Sequence, residues 1–294
     1  MRSEELIEKI KNIRIWRRGD ERAPHKPLVL LHTLGRISRG GPRLIPYEKV
    51  CEDLTHLLTE FLPYNRPSNP NYPFLRLSND GIWEVRGKGM LDTKDDWSNT
   101  QLIANETAGG FTEESYNLLK RDEKLLYELA RIILNQHFAD TLHQEILDQV
   151  GLELKDGIAR PRDPDFRDRI LRAYEYRCAV CGFNVRLGNT LIAVEAAHIK
   201  WHCYGGPDLE NNGIALCSMH HKLFDRGVFT LDNSFVLRVA EGAHGSTGFE
   251  EWLMRYHGRT IRRPQRVTYY PDKKFINWHI KEVFRGPSRY VVGR

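Results

Sequence analysis

Two close pairs of metal-ligating residues mark the second half of this chain, Cys178 with Cys181 as C-x-x-C and Cys217 with His220 as C-x-x-H. Thiolates and an imidazole arranged as two short-spaced pairs suit a closed tetrahedral zinc site of the structural kind. Beside those ligands lie His198, Asn212 and His221. The zinc needs none of them, so they are available for other chemistry. A zinc ribbon that only binds is the bland alternative for the two pairs by themselves.

The elements that must position these residues can be read locally. Residues 191–199 are apolar and β-branched enough for a strand, with His198 near its end. After a Gly-Gly-Pro-Asp turn at 205–208, a helix is predicted from 218 towards 224. The zinc then staples a β-hairpin to a short helix. His221 directly follows His220 and projects about 100° away from it. His198 and His221 are therefore expected on opposite walls of one small cleft. Strand alternation puts Glu195, the nearest carboxylate, on the face away from His198 unless the strand is bulged. Asp225 is a helix residue that either packs or assists.

The wording of this stretch, EAAHI at 195–199, NNGIALC at 211–217 and HHKLFDRG at 220–227, resembles HNH nucleases of the ββα-metal class, and in particular McrA-like restriction endonucleases. The resemblance implies that His198 is the general base that activates water, that Asn212 fixes the loop and orients that base, and that His221 binds a catalytic divalent ion, Mg²⁺ or Mn²⁺. Phosphodiester hydrolysis needs an activated water and charge stabilisation at the phosphate, which agrees with these roles. Many such sites carry an Asp or His just before the base; here that position is Ala197. Glu195 and Asp225 are the carboxylates that could substitute. Cys203 sits in the turn, outside the two short-spaced ligand pairs of the sequence, and is expected to stay outside the zinc site.

Composition sets the frame. The 294 residues are 40% hydrophobic and 28% charged, as expected of a soluble chain with room for two domains. No apolar run approaches the roughly 20 residues of a membrane span, and Met1-Arg2-Ser3-Glu4 does not open a secretory signal. Few cysteines, with Cys51 and Cys203 left over, point to a reducing cytoplasm. Charge is uneven: up to residue 152 there are 21 Lys+Arg against 23 Asp+Glu, a net of −2, and the remainder carries +7. The basic excess lies with the metal-ligand motif, as a polyanionic substrate would favour.

In the first half, apolar stripes predict helices over 6–13, 28–37 and 46–61. A stiff loop at 63–73, PYNRPSNPNYP, precedes FLRLSNDGIWEV, read as two short strands around Asn79-Asp80-Gly81. One long helix is expected over 115–136 and an amphipathic segment over 139–150, closed by Gly151. Residues 153–165 read as a linker.

APHKPLVLL at 23–31, NYPFLRLSNDGIWEV at 71–85 and HFADTLHQEILDQVGL at 137–152 resemble the sulfur-binding domain found ahead of HNH modules in nucleases that cut phosphorothioated DNA. The resemblance implies that His25, Lys26, Tyr72 and Pro73 surround the modified linkage. Lys26 stands where some relatives have Arg, giving a point charge in place of a bidentate fork. Arg22, Arg66, Asn71 and Arg76 are candidates for backbone or base-edge contacts.

The expected fold class is α+β: a helix-rich DNA-recognition domain at 1–152, a linker at 153–165, and a ββα-metal HNH nuclease domain with structural Zn²⁺ at 166–294. The expected function is modification-dependent (Type IV) restriction: binding of phosphorothioated double-stranded DNA and divalent-metal hydrolysis of a nearby phosphodiester. Two copies acting together would cut both strands. The rival expectations are an HNH nuclease reading another mark, such as a methylated base, and a non-catalytic zinc-containing DNA-binding protein.

Overall fold

The computed structural model describes all residues except 20, 64–65, 90, 94, 155–163 and 291–294. The chain divides into two compact units, residues 1–62 with 66–159, and residues 160–294 with 63–65. The expected linker at 153–165 lies largely outside the described residues.

The first unit is built around one buried helix. Its elements are α1 (Ser3–Lys11), β1 (Trp16–Arg18), β2 (Glu21–Ala23), α2 (His25–Ser38), β3 (Ile45–Pro46), α3 (Cys51–Phe61), α4 (Asn71–Arg76), β4 (Trp83–Arg86), α5 (Asn99–Ala104), β5 (Ala108–Phe111), α6 (Glu113–Arg121), α7 (Glu123–His137) and α8 (His143–Val150). Leu28 to Leu31 and Leu34 of α2 are buried, because α3, α4, α6, α7 and α8 pack around that helix. An apolar surface on every side makes such a helix a core element. β3 and β4 flank β5 in an antiparallel sheet. Against it runs a file of edge-to-face rings, Tyr47–Phe74 at 5.0 Å, Phe74–Trp83 at 5.5 Å and Trp83–Phe111 at 5.9 Å. Glycine is required in β5, because a Cβ on Gly109 would meet the Phe74 ring at 2.7 Å.

Two expectations change here. The segment expected as the first strand of a hairpin is α4: Pro73, Phe74 and Leu75 are buried in succession rather than alternately, with Asn71 one turn earlier on the same side as Phe74 and Leu75, and β4 pairs with β5. The single long helix is two, because Asp122 caps the second by accepting from the Leu125 N–H at 3.0 Å.

The second unit carries α9 (Pro164–Ala173), β6 (Arg186–Leu187), β7 (Thr190–Leu191), β8 (Val194–His198), β9 (Gly213–Cys217), α10 (Ser218–Asp225), β10 (Phe229–Leu231), β11 (Leu237–Val239), α11 (Thr247–Trp252) and α12 (Lys273–Glu282). β8 and β9 pair antiparallel from Val194↔Cys217 to His198↔Gly213, and α10 follows at once. This is the expected ββα arrangement. α9 packs on the hairpin, and Gly213 permits it, since a Cβ there would lie 2.1 Å from Ile170 Cδ1. α12 covers β10. No helix among the described residues is long and apolar enough to cross a membrane.

Candidate functional site

The four metal-ligand residues converge. The ligand atoms of Cys178, Cys181, Cys217 and His220 all lie within 4.8 Å of one another. Cys181 Sγ to Cys217 Sγ is 4.0 Å and Cys178 Sγ to His220 Nδ1 is 3.7 Å, spacings that bonds of about 2.3 Å to sulfur and 2.0 Å to nitrogen would span around one tetrahedral ion. His220 Nε2–H donates to the Trp252 carbonyl at 2.8 Å, which turns the Nδ1 lone pair towards the thiols, the outer-shell arrangement of a metal-bound histidine. Hydrogen bonds from Cys181 and then Cys217 hold the Cys178 thiol far below its ordinary range. The cluster thus carries a thiolate, the metal-binding form. The residues fit zinc. Cys203 packs apart, among Tyr204, Trp278 and Trp201.

His198 ends β8, stacked on the Phe166 ring of α9 at 4.2 Å. Its Nε2 lies 2.7 Å from Asp208 Oδ1. Burial lowers its pKa below the usual 6.5 and outweighs the opposing pull of Asp208, so the ring is neutral near pH 7 and able to accept a proton.

Asn212 is fully buried and closes the loop between β8 and β9. Its side chain accepts from Lys200 N–H at 2.9 Å and donates to the Lys200 and Pro207 carbonyls at 3.0 and 2.9 Å. These bonds tie the start of the loop to its end.

His221, on α10, lies between two carboxylates, with Nδ1 2.6 Å from Glu195 Oε2 and Nε2 3.3 Å from Asp225 Oδ2. Burial alone would depress His221, but Asp225 and Glu195 outweigh it and push it up to about 9. Glu195 also accepts from the Ser218 hydroxyl at 2.7 Å, and Asp225 from the Trp201 indole N–H at 2.8 Å. Each carboxylate takes a different ring nitrogen, so an ion on Nε2 would displace the ring proton there and have Asp225 beside it, while Glu195 orients the ring from Nδ1. Asp225 also exerts its charge on His198, so the two histidines share one electrostatic neighbourhood. Asp208, Phe166 and Trp201 were not singled out from the sequence: Asp208 reads as a turn residue, and neither aromatic carries a motif.

In the first unit, His25 opens α2 and its Nε2–H donates to the Pro67 carbonyl at 2.8 Å; burial lowers its pKa. Arg66 pairs with Glu21 at 2.9 Å and lies over the Trp16 ring at 4.6 Å, joining this loop to β1 and β2. Arg22 faces His137 electrostatically. Tyr72 is exposed while Pro73 beside it is buried. Asn71 donates to the Trp97 carbonyl at 2.6 Å, and Arg76 lies 3.6 Å from Asp96. Lys26 is held by Asp80 at 2.6 Å. The structure thus draws His25, Arg66 and the β1–β2 hairpin together, and packs α4 against α2.

Fold and site define a DNA-acting protein whose ββα module is stapled by a Cys3His cluster. The chain belongs to the family of the ScoMcrA-like DNA sulfur-binding domain, which it matches over residues 3–155, and residues 178–232 match the HNH endonuclease family. Among solved structures, it is similar to the sulfur-binding domain of SprMcrA complexed with phosphorothioated DNA, at 24% identity and a TM-score of 0.46 over 52% of this chain and 95% of that one. The corresponding domain of ScoMcrA with phosphorothioated DNA is 22% identical, with a TM-score of 0.43 over 50% and 95%. The Type IV phosphorothioation-dependent restriction endonuclease ScoMcrA itself is 22% identical, with a TM-score of 0.40 over 50% of this chain and 32% of that one. No curated protein sequence matches the chain.

Proposed function

We propose that this chain is a modification-dependent restriction endonuclease, with residues 1–152 binding phosphorothioated double-stranded DNA and residues 166–294 hydrolysing a nearby phosphodiester. The observation that supports it most is the pairing, in one chain, of a sulfur-binding-domain match with an HNH module in which a neutral, half-buried His198 stands beside the His221, Glu195 and Asp225 cluster.

In the second unit, His198 takes the proton of the attacking water, Asn212 holds the loop beside it, and Cys178, Cys181, Cys217 and His220 hold zinc for the fold. His221, with Asp225 beside its Nε2 and Glu195 orienting the ring from Nδ1, would hold a catalytic divalent ion, whose contribution is positive charge at the scissile phosphate. In the first unit, exposed Tyr72, backed by buried Pro73, offers the apolar surface for the modified linkage, with His25 and Lys26 as its charged and polar partners and Arg22, Arg66 and Arg76 contacting the flanking backbone; Asn71, expected among these contacts, is buried and instead holds the Trp97 carbonyl. Sulfur in place of a non-bridging oxygen is larger and less well hydrated, so an apolar surface prefers it by about 1 to 3 kcal/mol. Two copies on one duplex would serve double-strand cutting.

The test is cleavage of paired duplexes, identical except for one phosphorothioate linkage, in Mg²⁺ or Mn²⁺. Cutting of the sulfur-bearing duplex alone, absent in His198→Ala, is expected. Equal cutting of both would keep the nuclease and discard the sulfur reader; competition by a methylated duplex would point to a different mark. DNA binding without cutting under any divalent ion would leave a non-catalytic binder.

A further inference from the structure

We infer that Asp208 is a positioning residue for the general base, holding His198 in the tautomer that presents Nδ1 to water; this rests on the reading of His198 as the base. Its carboxylate meets Nε2 at 2.7 Å, and the backbone on both sides of it is clamped. Asn212 Nδ2 donates to the Pro207 carbonyl at 2.9 Å, and Arg169 of α9 donates to the Asp208 carbonyl at 2.9 Å. Arg169 also lies 3.2 Å from Glu210, so the segment carrying Asp208 is tied down at three successive points. Phe166, one turn earlier on α9, fixes the ring plane from its face. Plane and tautomer are therefore set by different groups.

An ionised carboxylate on Nε2 keeps the proton there and leaves the Nδ1 lone pair for chemistry. As water attacks, one of its O–H bonds breaks and the proton passes to Nδ1. The oxygen bonds to phosphorus, and the leaving oxygen departs with the electron pair of the broken P–O bond. Asp208 stays ionised throughout and stabilises the imidazolium that forms. The other titratable groups facing His198 are His202, whose Nε2 lies 3.9 Å from Asp208 Oδ2, and Asp225 at longer range. Phe166 is uncharged.

The test compares the full-length protein with Asp208→Asn and His198→Ala, following cleavage of a phosphorothioated duplex from pH 5.5 to 9 alongside DNA affinity and zinc content. Loss of the carboxylate removes a charge that favours protonated His198. The acid limb of the Asp208→Asn profile should therefore move to lower pH, with the plateau at least about 10-fold lower and affinity and zinc unchanged. A wild-type rate and limb in Asp208→Asn, with His198→Ala inactive, would overturn the role of Asp208 and keep the base. A lower plateau with an unmoved limb would make Asp208 merely structural and equally overturn it. Undiminished cutting by His198→Ala would remove the base assignment and this inference with it.

Discussion

Trp201 donates its indole N–H to Asp225 at 2.8 Å, and the same carboxylate lies 3.3 Å from His221. Trp201 is itself wedged edge-on against Tyr204 and Trp278, at 5.8 and 5.9 Å. An aromatic cluster thus aims a carboxylate at the candidate ion site. Trp201→Phe keeps the packing and deletes the N–H. The concentration of Mg²⁺ or Mn²⁺ giving half-maximal cleavage should rise about 10-fold or more, with activity recovering at saturation. An unchanged metal titration would count against Asp225 as part of that site.

Gly206 offers a second handle. A Cβ there would lie 1.8 Å from the Lys200 carbonyl oxygen and 2.9 Å from Asn212 Nδ2, and backbone cannot give way as a flexible side chain can. Gly206→Ala should displace the loop that Asn212 clasps and cut the cleavage rate by about 100-fold. Zinc content should stay at one per chain, because the four ligands lie outside the loop. Cleavage at the normal rate would show that the loop tolerates the shift.

His279 makes stability sensitive to acid. It is fully buried, with Nδ1 2.8 Å from the Thr230 hydroxyl and Nε2 3.1 Å from the Phe224 carbonyl. The neutral ring donates to the carbonyl and accepts from the hydroxyl, and it is burial that disfavours the charged form. Burial holds its pKa down at about 4 against an ordinary 6.5. A lowered histidine binds its proton more readily in the unfolded chain, so its contribution is intact above pH 6.5 and drains away as pH falls towards 4. That is about 3 kcal/mol. Denaturant unfolding at pH 7 and pH 4.5 should show the drop, and His279→Gln should flatten it.

Lys26 and Asp80 form a nearly dry ion pair, with side-chain exposures of 13% and 4%. Asp80 also accepts from the Arg14 N–H at 3.2 Å. Asp80→Ala strands a largely buried ammonium and should cost the first unit about 3 kcal/mol in chemical denaturation. A change below about 0.5 kcal/mol would mean that water reaches the ammonium.

The sequence made the ββα module legible because its information is local: ligand pairs at short spacing, a strand ending in His198, a helix opening behind Cys217. Asp208 escaped because Gly-Gly-Pro-Asp spells a turn, and the distance from its carboxylate to His198 depends on how Asn212 and Arg169 fold the loop. Glu195 looked misplaced on strand alternation, yet α10 lies where His221 can reach it. In the first half, FLRL alternates like a strand, but its burial pattern is helical once α2 supplies the surface, and Asp122 breaks a continuous apolar stripe by capping. In each case, tertiary partners decided what local pattern left open.

The register from Val194↔Cys217 to His198↔Gly213 puts a sulfur-rich cluster at one end of a short ladder and the imidazole proposed as the base at the other, while the neighbours His220 and His221 face different donor sets. Softness would then sort the ions: the thiols favour zinc or its visible-absorbing stand-in cobalt, whereas a carboxylate such as Asp225 favours magnesium or manganese. One equivalent of cobalt lodged among the cysteines would serve as a coloured reporter of folding while magnesium or manganese is titrated at His221.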